Sequence, residues 1–241
     1  MRPAPVRVLR TVLERVRLGP ALWDTPRVRR LEATAAIGFA VSFLVGLVLA
    51  NVPDEGESRR QAIDFYNSTG DKARLLVAVA MMALAALLFG VFAAIVVERL
   101  AVMARRVAAI AGGAFVALYL GAAAAFVAPT FTLSLDSSGA NAVDRQFVDF
   151  ARGMSTLGDA LLLVCSMFAA ALFVGTLAWS RVFPAWLSWS GWAVAIALLF
   201  GFVFVPLILF AAWTLALGIY ALRGGIPRVA DVPATSRPVE R

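Results

Sequence analysis

The 241-residue chain has no histidine, a single cysteine and, among 22 basic residues, a single lysine, Lys72. Without histidine there is no serine–histidine nucleophile pair and no haem held through imidazole. Cys165 alone cannot form an internal disulfide or build a zinc site of the usual Cys/His type. No glycine-rich stretch has the strand before it that a phosphate cradle needs. Charge is also missing over long distances: the 41 positions 182–222 carry none. A continuous helix of that length would reach about 60 Å, twice the roughly 30 Å of a bilayer's hydrocarbon core. Two crossings fit there, with a turn between Gly201 and Pro206, since proline is tolerated in the first turn of a helix.

What is present is apolar. Hydrophobic residues make up 61% of the chain and the mean hydropathy is +0.85, where a soluble domain is about half apolar. The excess falls in blocks of about 20 residues, the length that spans a bilayer. The expected architecture is all-α, a polytopic transmembrane bundle of six helices at about 33–52, 75–97, 107–127, 160–179, 185–204 and 206–222. A basic arm, 1–30, precedes the membrane domain 31–223, and a disordered tail, 224–241, follows it. The arm is too long and too charged for a signal peptide, so the first span is expected to be an uncleaved anchor. Gly38, Ser42 and Gly46 recur every four residues on the first span and predict a close helix–helix seam. Two short surface helices are expected outside the spans, over 57–66 with Ile63 and Tyr66 toward lipid, and over 141–154. Asp71 is the expected N-cap of the second span.

Charge gives the orientation. With six crossings, 16 basic residues fall on the side of both termini and 6 on the other. By the positive-inside rule both termini are cytoplasmic. The net charge of +7 is thereby accounted for by orientation, without nucleic acid. Trp179, Trp186, Trp189 and Trp192 gather at one predicted interface, as an aromatic belt does.

Few residues inside the spans could carry chemistry. Asp159, at the start of the fourth span, is the candidate functional polar residue, because a carboxylate at membrane depth is costly to keep. The same position also suits a helix cap. Cys165 reads as a small packing residue. In the arm, Leu9, Val12, Leu13 and Val16 share a helical face, with Arg7, Arg10, Arg15 and Arg17 around the rest. These four arginines are candidate contacts for anionic lipid headgroups. Asp136, Asp144, Asp149 and Asp159 are the only acidic group that could serve an enzyme acting on lipids, and solvated loop charge explains them as well.

Half of the chain resembles a broad group of small actinobacterial integral membrane proteins. The similar stretches are Gly158-Asp159-Ala160-Leu161, Phe183-Pro184-Ala185-Trp186-Leu187-Ser188-Trp189-Ser190-Gly191-Trp192, the segment from Trp213 to Arg223, and Asp64-Phe65-Tyr66. That group has no established activity, so the resemblance implies six helices in a bacterial cell membrane and assigns no catalytic residue. The expectation is a non-enzymatic multi-pass protein of the plasma membrane. It would use no cofactor or metal and act through the bilayer, anionic lipids or a membrane protein partner. The alternative is a small-molecule permease or channel.

Overall fold

The computed structural model describes residues 25–50, 52–53, 58–135, 143–180, 182–200 and 205–224, and every regular element among them is helical. Seven helices follow in order: α1 Pro26–Leu49, α2 Arg59–Asn67, α3 Thr69–Val97, α4 Val102–Leu135, α5 Arg145–Trp179, α6 Ala185–Leu199 and α7 Val205–Gly224. Five of them (α1, α3, α4, α5 and α7) are long and apolar enough to cross a membrane, the pattern of a multi-pass membrane protein. With 15 residues, α6 spans only about 22 Å. The expected turn at 201–204, the arm 1–24 and the tail after Gly224 lie outside the described residues.

Several boundaries differ from the expected ones, each for a local reason. The first span begins at Pro26 rather than 33, because Thr25 caps it: its hydroxyl accepts from the Val28 N–H, with proline in the first turn. Arg27, Arg29, Arg30 and Glu32 therefore belong to α1. The second span is capped by Ser68, which accepts from the Asp71 N–H at 3.2 Å. Asp71 sits in the first turn as a favourable charge and is not the cap. The third span does not stop at 127. It runs through Pro129 to Leu135, since proline removes one backbone bond and neighbouring helices support the rest.

The largest correction concerns 141–179. The surface helix and the fourth span form one rod, Arg145–Trp179. Its middle, Ala160–Ser166, is π-helical. The buried positions Gly158, Leu162, Ser166 and Ala170 are spaced by four. On an ideal α-helix three such steps drift by about 120°; the wider π turns hold them in line.

Small residues set the packing. A Cβ on Gly46 would stand 3.3 Å from the Met82 backbone nitrogen, and one on Gly38 2.9 Å from Leu88. The predicted seam therefore joins α1 to antiparallel α3. Gly218 brings α7 against Ala33, Ala36 and Ile37, and Gly191 brings α6 against Trp213 and Ala178. The Trp213 indole N–H donates to the Leu187 carbonyl at 3.3 Å. The centre is aromatic. Phe39, Phe43, Phe89, Phe115, Phe173 and Phe210, from five helices, are fully buried, and Tyr119 stacks on Phe43 and Phe115. Neighbouring rings stand 4.6–6.2 Å apart, the range in which aromatic pairs attract beyond their burial.

Candidate functional site

The charge most firmly held in the molecule was not among the sequence candidates. Arg99 Nη2 lies 2.6 Å from Glu32 Oε2, with side-chain exposures of 2% and 0%. Glu32 is in the second turn of α1. Arg99 is in the tight turn between α3 and α4, where its own N–H bonds the Val96 carbonyl and the Leu100 N–H bonds that of Val97. Closing the turn this way aims the guanidinium at α1. From the sequence Glu32 had no role and Arg99 was left in the loop between two spans, so the pair went unseen. The missed signal is an isolated glutamate flanked by Leu31 and Ala33, on the same predicted side as an arginine that follows the apolar run of α3. Beside it Arg105 reaches Glu98 at 2.9 Å across a half-exposed surface.

Asp159 is half-buried, inside α5, where the rod changes to its π stretch. It has helical dihedrals and no side-chain capping bond, so the cap reading fails, because the helix does not begin there. Cys165 is exposed on the outer surface of the bundle rather than packed. Of the acidic group, Asp144 caps α5 through the Phe147 N–H at 2.8 Å. Asp149 faces Arg59 at 3.7 Å, both side chains about half exposed. Asp136 lies outside the described residues, as do Arg7, Arg10, Arg15 and Arg17. No cluster of three or more potential metal ligands occurs among the described residues.

Opposite the charged end, α2 is fixed by a capping box between Ser58 and Gln61. Tyr66 does not face lipid. It is 2% exposed and meets Phe147 edge-on at 5.2 Å. Its hydroxyl has no hydrogen-bond partner among the described residues, and burial pushes its pKa up to about 12.

Between α4, α5 and α6 the surface opens into a groove of about 960 Å³. Met103, Val107, Leu172, Trp192 and Ile196 form its walls, and Gly175 leaves space in its floor. Its two hydroxyls bond their own helix, Thr176 to the Leu172 carbonyl and Ser180 to that of Leu177. The walls are therefore apolar in effect. The groove ends at Ala101 and Trp179, the end of the bundle that also holds Arg99.

Such a site offers no paired nucleophile and base among the described residues. It offers charge held in place at one end, a closely packed aromatic centre and an apolar cleft on the flank. No protein-family model, curated protein or solved structure matches the chain.

Proposed function

We propose that this is a six-crossing protein of the plasma membrane of a bacterium, with both termini cytoplasmic. It acts without catalysis, by holding lipids or a membrane protein partner. The observation that carries this reading is the centre of the bundle. Interlocked aromatic rings from five helices fill it, where a carrier needs a polar path at mid-membrane. The buried hydroxyls of Ser166 and Thr214 bond the carbonyls of Leu162 and Phe210 in their own helices, which leaves little for a solute. The sixth crossing is supported by the packing of α6 between α5 and α7. The orientation is supported by the basic excess on the side of the termini and by the exposed indoles of Trp179, Trp186 and Trp189 around the α5–α6 connection.

A permease is the second reading, favoured by Asp159 beside a π-helical stretch, a distortion frequent at functional sites. Purification in native lipid, followed by mass spectrometry, tests the first: a reproducible set of lipids or one protein should co-purify. Solute flux in reconstituted vesicles that Asp159→Asn abolishes would replace it with the second. A cytoplasmic reporter fused after Arg241 should be active if six helices cross; a periplasmic signal would leave an odd number.

A further inference from the structure

The groove between α4, α5 and α6 has a definite chemistry at each level. Its walls are aliphatic and aromatic, and its hydroxyls are already bonded within α5. At its charged end stand two indoles, Trp179 and Trp192, packed edge-on at 6.3 Å. Indoles of this kind mark the headgroup level of a bilayer. Arg106 does not line the groove itself; it is exposed on α4 beside Val107 of the groove wall. Of the other described cations on this α3–α4 turn and the start of α4, Arg99 is met by Glu32 and Arg105 by Glu98. Arg106 makes no ion pair among the described residues.

We propose that this groove holds one anionic phospholipid, with an acyl chain along Leu172, Gly175 and Ile196 and its phosphate at Arg106. The inference rests on the reading that the chain acts by holding lipid or protein, and it names the site and the lipid class. An apolar cleft on a membrane-facing surface is filled by chains from the bilayer, because neither water nor a void is stable there. A cation with no ion pair among the described residues, near the indole level, favours a negative headgroup over a zwitterionic one. Charge also argues against the basic arm as occupant. Its stripe of Leu9, Val12, Leu13 and Val16 would suit the walls, but its arginines carry the same sign as Arg106.

Native mass spectrometry of the full chain in detergent tests this, with phosphatidylglycerol and phosphatidylcholine of identical chains as probes. One phosphatidylglycerol should be retained with a preference of about fivefold, the worth of one cation near the membrane surface. Arg106→Gln should remove the preference while phosphatidylcholine binding persists. Leu172→Trp, at an exposed position that folding does not need, should weaken both lipids, and Gly175→Leu should do the same from the floor. Arg74→Gln, at the other end of the bundle, should change neither.

A preference that survives Arg106→Gln overturns the proposal, as does binding that survives both groove variants. Stronger binding after Leu9→Asp with Leu13→Asp would assign the groove to the arm, and a dimer that Leu172→Trp dissolves would assign it to a second copy. Dye-loaded vesicles separate this from the broader reading. A leak that Asp159→Asn stops, with lipid preference intact, counts against the broader reading alone. A lost preference with silent vesicles counts against the site alone.

Discussion

The two ends of the bundle each carry an ion pair between elements distant in sequence, and the pairs differ in kind. Glu32 and Arg99 meet at 2.6 Å with almost no exposure, whereas Arg59 and Asp149 meet at 3.7 Å with about half of each side chain in the open. A buried charge is tolerated only with its partner in place, so the first pair dictates how α1 sits against the α3–α4 turn. An exposed pair is screened and pays side-chain entropy, so the second reports where α2 and α5 lie without fixing them. At that end fixation falls to apolar contact, with Tyr66 and Phe147 as the joint. Distance alone would have ranked the pairs as neighbours on one scale; burial makes one a constraint and the other a bystander.

The sharpest way to break this contrast is Arg99→Met. Removing the Arg99 guanidinium from the buried Glu32 carboxylate should destabilise the folded protein by about 3–5 kcal/mol, read as denaturant unfolding in a fixed detergent. The double variant Glu32→Leu with Arg99→Met should recover most of that loss, because no charge is left stranded. A single variant no worse than a surface substitution would erase the difference between the ends. Next comes Gly158→Leu, whose added atoms would enter the Phe126 ring, already 2.6 Å from where a Cβ would stand. A cost of about 2–3 kcal/mol is expected in the same assay, with partial recovery by Phe126→Ala.

Tyr66 sharpens the comparison through pH. Its folded pKa of about 12 lies above the ordinary value of 10.0, so the fold favours the neutral phenol. Its contribution is complete below pH 10 and is lost as pH rises through 12, in total about 3 kcal/mol. Tyr66→Phe should remove that part of the alkaline decline and change little at neutral pH. An unaltered alkaline profile would mean that the phenol is not desolvated as its burial implies. The smallest effect belongs to Arg59→Ala, within about 0.5 kcal/mol; a loss comparable to that of Arg99→Met would show that exposure does not separate the two pairs.

The long apolar runs were legible in the sequence because a bilayer asks for length and apolarity, both additive along a chain. The α1 seam was legible for a similar reason: Gly38, Ser42 and Gly46 repeat at helical spacing, and α3 comes close at both glycines, with its backbone at Gly46 and the Leu88 side chain at Gly38. The joining of 145–159 to the fourth span was not. Asn141 to Asp159 is polar, and hydropathy separates polar from apolar where the backbone does not. Gly158-Asp159 reads as punctuation, yet the glycine is there to admit the Phe126 ring. The Glu32–Arg99 pair depends on contact between positions 67 apart, which no local pattern records. The groove is an absence between three helices and leaves no mark on any one of them. Asp159 stands out in the sequence as a carboxylate beside an apolar run, but that it lies inside a continuous rod, where the π stretch begins, is visible only in the structure.

The π stretch in α5 has a consequence for the far end of the molecule. Widened turns are equivalent to one surplus residue lodged in an otherwise ordinary rod. They act as a phase setting between its two halves, much as a vernier offsets one scale against another. Remove a single residue between Leu161 and Val164, letting the stretch relax to α-helix, and everything N-terminal to it rotates by about 100°. Phe147 would then swing off Tyr66, and Asp149 away from Arg59, although neither contact lies within three turns of the deletion. The cap at one end of the bundle is thus dialled in from its middle, by the length of the chain rather than by the identity of any side chain.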